Sequence, residues 1–334
     1  MTSLRERLVA RIRRDGALTF AQYMEAALFD AEAGFYTRGP RIGRGGHFAT
    51  SAEAHPAFAE AIIAEASATW QQLGRPAGFR VTEAGPGSGG LALRVSAGLE
   101  QRGLEHELVL VERSSGLREQ QGALLAGRSV RWVEHPSELD PAPGLLYANE
   151  LLDALPVHLL QWPQEVLVAA DEGGRLVEEL RPAAPALRTL LTSSLATPRR
   201  GGRYAVCPAL QPLVSSCAGS VETGRLLLID YGGTGAQVHD GRRPPVRTYI
   251  GGQPGGDPLA APGTQDLTAD VDFGALSAAA ALLGLRGVTL KTQAEWLGGH
   301  GWAVPPAAER TESDWALAGL LDDRLPFMVW SAER

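Results

Sequence analysis

Between residues 4 and 12 the apolar positions recur every four residues, as Leu4, Leu8 and Ile12, and Asp15-Gly16 closes the run. That spacing predicts a helix with one buried stripe. The segment is rich in arginine, as a transit peptide would be, but Glu6 and the regular stripe favour a structural helix. The same period predicts helices over Phe20 to Leu28 and Ala57 to Gln72. Between them, Arg38 to Gly46 carries too many glycines for a helix and reads as a long loop.

From residue 79 the pattern changes to short apolar runs separated by helical ones. Phe79 to Glu83, Leu108 to Glu112, Val130 to Val133, Leu145 to Asn149 and Arg225 to Asp230 read as buried strands, and Leu91 to Gln101 as a helix. Phe327 to Trp330 is a candidate last strand. Strands alternating with helices predict parallel pairing through right-handed crossovers. The expected fold class is therefore α/β, a Rossmann-like sheet with helices on both faces. Residues 180–200 have mixed polarity and read as a helical excursion or lid, and 232–265 as a long Gly/Pro-rich loop. The expected organisation is an N-terminal helical region with a covering loop, 1–75, and a core, 76–334. Insertions at about 175–222 and 232–270 would form a substrate-side subdomain. The longest apolar run, Phe273 to Leu285, is broken by Gly274 and Ser277 and falls short of the ~18 residues of a membrane span.

Composition narrows the function classes. The 334 residues are 44% hydrophobic and 21% charged, with a formal net charge of -7. That balance argues against a nucleic-acid partner. Cys207 and Cys217 are the only cysteines and form no metal-ligand pattern, so a reducing, cytoplasmic setting and no metal are expected. A homodimer stays open.

The strongest local motif is Glu83-Ala84-Gly85-Pro86-Gly87-Ser88-Gly89-Gly90, between a predicted strand and a predicted helix. Glycines there let the backbone turn sharply and approach a ligand, and the helix N-terminus offers unpaired N–H groups. Gly85, Gly87 and Gly90 fit the dinucleotide pattern, whereas Gly85, Gly87 and Gly89 fit the S-adenosylmethionine one. Glu112 ends the next strand, 22 residues after Gly90, where a carboxylate can accept both ribose hydroxyls of either ligand. Two details favour the methyl donor. Glu83 stands where the ligand's cationic amino-acid end would lie, and Pro86 stiffens the loop.

Several blocks together resemble the MidA-like S-adenosylmethionine-dependent methyltransferases, a family that includes a mitochondrial arginine methyltransferase. They are Met24 to Phe29 with Gly34-Phe35-Tyr36, Gly45 to Glu53, the glycine loop, Ala148 to Val157, Ile229 to Gly232, and Pro262 to Phe273. His47 stands where the family usually has Asp, and Gly251-Gly252-Gln253 stand where it usually has a His after an aromatic. The resemblance implies S-adenosylmethionine as cofactor and a protein methyl acceptor, with arginine nitrogen favoured. The altered loops keep a small-molecule or peptide acceptor in play. Further alternatives are a non-catalytic cofactor-binding assembly factor and an NAD-dependent oxidoreductase.

Methyl transfer from a sulfonium mainly needs the two partners held in line and water excluded. Asn149, Glu150 and Asp153 follow a strand end and form the candidate catalytic group, two carboxylates suiting the fork of a guanidinium. The plainer readings are a helix cap for Asp153 and a solvated loop residue for Glu150. Thr50 and Ser51 match the family's cofactor-side loop, as does Glu53, which is taken with Tyr36, His47, Asp230 and Tyr231 as substrate-side. Asp266, Asp270 and Asp272 read as caps and turn residues, and Trp132 as either an adenine platform or a core residue.

Overall fold

The computed structural model describes residues 2–37, 55–322 and 327–334. The segment holding His47, Thr50, Ser51 and Glu53 lies outside the described residues. The chain forms two compact units, each assembled from three stretches of sequence. One takes residues 1–40, 152–212 and 232–276, and the other 41–151, 213–231 and 277–334. This division differs from the expected 1–75 and 76–334. Residues 1–40 group with the two expected insertions, because an N-terminal strand pairs with one near residue 168.

The second unit carries the Rossmann-like sheet. Its strands are β2 (Arg80–Ala84), β3 (Glu107–Val111), β4 (Val130–Val133), β5 (Ala142–Asn149), β10 (Val221–Gly233), β15 (Arg286–Thr292) and β16 (Phe327–Glu333). They lie in the order β15-β16-β10-β5-β2-β3-β4. The five from β10 to β4 are parallel, and β16 runs antiparallel between β10 and β15. Strand order reverses between β2 and β5, and an open sheet of this kind forms its ligand crevice outside the carboxyl ends at such a switch point. Helix α3 (Pro56–Gln72) buries Phe58, Ile62 and Ile63 in a cluster with Phe79, Val81, Leu145, Tyr147, Leu227 and Val329 from the sheet. Helices α4 (Gly90–Gln101) and α5 (Ser115–Leu124) connect β2 to β3 and β3 to β4, as parallel pairing requires.

The first unit is built on an antiparallel sheet. Strands β6 (His158–Gln161), β7 (Gln164–Ala170), β8 (Leu176–Pro182) and β9 (Arg203–Val206) are joined by β1 (Leu18–Thr19), with Leu18 opposite Val168. Helix α6 (Pro185–Ser194) occupies part of the expected excursion, but its first part is the strand β8. Helix α1 (Leu4–Asp15) buries Leu4, Leu8, Val9 and Ile12 and starts with a Ser3–Glu6 capping box, so its stripe is a packing face. The expected loop at 232–265 contains β11 (Arg247–Ile250) and β12 (Gln253–Pro254), which join β13 (Asp266–Thr268) in a small sheet. Among the described residues no helix is long and apolar enough to cross a membrane.

Candidate functional site

Parallel register sets the site. Ala84 of β2 lies between Val111 of β3 and Ala148 of β5, and Asn149 lies opposite Ile229 of β10. The carboxyl ends therefore present Asp230, Asn149, Gly85 and Glu112 side by side, at about 5 Å per strand.

The glycine loop begins where β2 ends. Gly85, Gly87 and Gly89 have φ of 69°, 52° and 82°, a region that side-chain-bearing residues enter at a cost. The Gly85 N–H donates to the Val111 carbonyl at 3.0 Å, and Gly89 N–H to the Pro86 carbonyl at 2.8 Å. A Cβ at Gly85 would stand 2.8 Å from Cδ1 of Leu151, so this glycine also makes room for the chain leaving β5. Helix α4 starts directly after Gly89 with no side-chain cap, and so presents its N-terminus to the loop.

Glu83 sits beneath that loop at 3% exposure. Tyr147 Oη donates to its Oε2 at 2.9 Å, and the Ala92 N–H in the first turn of α4 also donates to it. Burial raises its carboxyl to about 8, against the opposing pull of these two donors and the charge of Arg94. Glu83 thus joins β2, β5 and α4 from inside.

Glu112 follows β3 at 7% exposure. Its N–H donates to the Val133 carbonyl at 2.9 Å. Its Oε1 accepts from Ser114 N–H at 2.8 Å and its Oε2 from Gln121 Nε2 at 3.3 Å. Burial raises its carboxyl, and these two donors act against that. A carboxylate has about four lone-pair sites. Two are used by these donors, which leaves two for a vicinal diol.

Asn149 closes β5 at 8% exposure. Its Nδ2 donates to Glu150 Oε1 at 3.2 Å, while its buried Oδ1 has no hydrogen-bond partner among the described residues. A buried acceptor of this kind is costly unless something else satisfies it. Glu150 has φ of 52°, and its N–H donates to the Ile229 carbonyl at 3.0 Å. A glutamate held in the left-handed region is strained, and strain of this sort gathers at functional sites. Asp230 is fully buried, and its Oδ1 accepts from the Tyr231 N–H at 2.8 Å. Tyr231 packs on Phe327 with ring centroids 3.8 Å apart. Trp132 lies against Leu108, Leu110 and Leu125 and donates its indole N–H to Gln121, which identifies it as a packing residue.

The remaining expected site residues within the described segments belong to the first unit. Asp153 is buried in a turn, where its carbonyl accepts from the Ala269 N–H at 2.9 Å; no helix starts at Ala154 for it to cap. Tyr36 donates its hydroxyl to Asp266 Oδ1 at 3.0 Å and stacks on Phe29. Asp272 Oδ1 accepts from the Ala275 N–H at 3.0 Å, a helix-capping contact, and Asp270 pairs with Arg243 and Arg247. A pocket in this unit is lined by Leu152, Cys207, His239, Asp270 and Asp272. Burial lowers His239 against the charges of Asp272 and Asp270, and raises the Cys207 thiol to about 11, so neither is poised for charge at neutral pH.

Sequence reasoning missed Gln121, Tyr147 and Leu151. Gln121 had a readable signal. It occupies the middle of the buried stripe Leu117, Gln121, Leu125, a polar residue at an apolar position.

Comparison with known proteins agrees with this geometry. The family described as S-adenosyl-L-methionine-dependent methyltransferases matches residues 62–289. The mitochondrial protein arginine methyltransferase NDUFAF7 homolog of Drosophila melanogaster is 30% identical over 319 residues, covering 81% of this chain and 68% of its own length. Its counterpart in Danio rerio is 29% identical over 311 residues, covering 81% and 70%. A COG1565 superfamily member from Burkholderia thailandensis, solved with S-adenosyl-homocysteine bound, superposes with a TM-score of 0.83 at 26% identity, over 99% of this chain and 92% of that one. The residues present suit such a ligand. The glycine loop leaves room for close backbone approach, Glu112 keeps two lone-pair sites, and Asn149 Oδ1 is an acceptor awaiting a donor. The chain belongs to the S-adenosyl-L-methionine-dependent methyltransferase family and is an enzyme of that class.

Proposed function

We propose that the methyl acceptor is a protein side chain, the guanidinium nitrogen of arginine. The observation that carries this is Glu150, a carboxylate held in a left-handed backbone at the end of β5 and bonded to Asn149. The arginine methyltransferase names of the relatives support the same choice. In this reading the loop from Gly85 to Gly89, with Pro86 stiffening it, receives the amino-acid end of the donor, and Glu112 takes its ribose hydroxyls. Glu83 fixes the loop from below. Thr50 and Ser51 complete the donor side.

The bound donor supplies a methyl group already activated by a sulfonium charge. Asn149 Oδ1 accepts a hydrogen bond from the donor's amino group or from the acceptor. Glu150 holds the guanidinium through paired N–H···O bonds, keeping one nitrogen in line with the methyl. With the donor bound, the acceptor nitrogen would take the methyl group while the C–S electron pair stays with sulfur, and the Glu150 carboxylate would receive the proton that the methylated nitrogen gives up and pass it to water. Asp153, three residues on, supplies the second carboxylate. Tyr36, His47, Glu53, Asp230 and Tyr231 are the residues proposed for the acceptor side. The setting expected from the two cysteines is cytoplasmic, whereas the relatives are mitochondrial by name.

The test is a radiolabelled methyl assay on cell lysate, followed by acid hydrolysis and separation of amino acids. Label in methylarginine is the expected result. Label confined to small molecules or to ester-linked methyl would overturn the arginine assignment. Glu150→Gln is expected to lower kcat on an arginine acceptor about a hundredfold, on the scale of a lost charge-assisted positioning contact. Unchanged turnover in that variant would remove the carboxylate from the mechanism.

A further inference from the structure

Gln121 lies on the sheet side of α5, fully buried. An amide in a protein interior is costly unless its hydrogen bonds are made. Here its Nε2 donates to the Gly87 carbonyl at 2.9 Å and to Glu112 Oε2 at 3.3 Å, and its Oε1 accepts from Trp132 Nε1 at 3.0 Å. The amide has one orientation. An indole nitrogen can only donate, so the atom facing Trp132 must be the oxygen, and the NH2 then faces two acceptors. One side chain therefore joins the glycine loop after β2, the acid after β3 and the strand β4. The glycine loop also packs on it, since a Cβ at Gly89 would stand 3.2 Å from Gln121 Cγ.

We propose that Gln121 is the positioning residue of the ribose site: it aims Glu112 and ties it to the loop, so that affinity for the donor depends on it. This rests on the reading of Glu112 as the ribose acceptor. With Ser114 N–H on Oε1 and Gln121 on Oε2, the carboxylate can neither rotate nor withdraw, and the lone pairs left over keep a fixed direction. The other charges acting on Glu112 are Arg118 and Arg113, both of which favour its ionised form. Among the described residues no acidic side chain acts on Glu112, so an acid introduced at position 121 acts on it directly.

The test is calorimetric titration of the full chain with S-adenosylhomocysteine between pH 5.5 and 8.5. Gln121→Glu keeps the shape and the acceptor for Trp132 but sets a second carboxylate beside Glu112. At pH 8 it is expected to weaken binding about tenfold or more, and affinity is expected to recover as the pair takes up one shared proton toward pH 6. In the wild type, affinity is flat or falls in that direction, so a rise in affinity toward pH 6 belongs to the variant alone. In a Glu112→Gln background the pH-dependent effect of Gln121→Glu is expected to vanish, whereas a merely structural role would give additive losses at every pH. Trp132→Phe, which frees only the amide oxygen, is expected to weaken binding about threefold without changing the slope. Wild-type affinity at pH 8 in Gln121→Glu, or a loss independent of pH, would overturn the proposal. If Glu112→Gln alone binds as tightly as wild type, the ribose reading falls, and that failure is distinct from additive losses, which would remove Gln121 alone.

Discussion

Replacing Glu83 with glutamine is expected to remove a loss of stability that the wild type suffers as pH rises. The carboxyl stands at about 8 in the folded protein against an ordinary value of 4.5, with burial as the leading cause. Between those values the folded chain holds a proton that the unfolded chain has released, so the folded state binds more protons. Stability therefore falls as pH rises through that window, and the loss is complete above about 8. At about 1.4 kcal/mol for each pH unit the full loss is about 5 kcal/mol, a large share of the 5–15 kcal/mol that holds a typical domain together. Glutamine resembles the protonated acid and cannot ionise, so Glu83→Gln is expected to match or fall slightly below wild type near pH 4.5, to gain on it steadily through that window, and to exceed it at pH 9. Urea unfolding of both proteins at half-unit steps from pH 5 to 9 gives the difference directly, and other titrating groups cancel in it. Parallel curves across the range would show that Glu83 carries no buried-acid penalty and would refute the reasoning.

Tyr147→Phe removes the hydroxyl that favours the ionised form of Glu83, so the pH at which stability declines is expected to move upward in the same unfolding series; an unmoved midpoint would count against the bond. Gly85→Val is expected to abolish S-adenosylhomocysteine binding by calorimetry with the circular dichroism spectrum retained, because a β-branched residue at φ 69° would be strained and would press on Leu151. Unchanged affinity would undo the loop assignment. Glu65→Gln tests an ion cluster away from the site. Burial alone would raise Glu65, but the bond from His300, the charge of Arg225 and the Trp296 N–H outweigh it and hold the carboxyl at about 2. Its contribution, about 2 kcal/mol after allowing for solvent screening, is present above pH 4.5 and lost as pH falls toward 2. The variant is expected to lose that amount at pH 7 in urea unfolding, and equal stability would contradict it.

The parallel sheet was legible because the middle of its central strands is buried on both faces and reads as continuous apolar runs such as Leu108 to Val111. The antiparallel sheet of the first unit was not. Its β8 alternates in burial with Glu178, Glu179 and Arg181 along it, so its polarity resembles that of a loop or surface helix. Its partners are also distant, as Leu18 opposite Val168 shows. Local periodicity carries no trace of pairing across 150 residues. At the site, the glycine loop, Glu112 and Asn149 were readable because motif and strand end coincide. The hydrogen bonds that set them were not, since Tyr147 looks like an ordinary core residue, and the polar Gln121 in an apolar stripe does not disclose its partners until α5 brings it beside Glu112.

The position of β16 has a consequence for how this molecule comes into being. Residues 327–333 are bonded along one edge to β10 and along the other to β15. Every other strand of that sheet precedes β16 in the chain, yet among the described residues β15 has no other strand to pair with until residues 327–333 are in place. Trimming those residues would remove an interior plank rather than a margin, exposing the flank of β10 and setting β15 adrift.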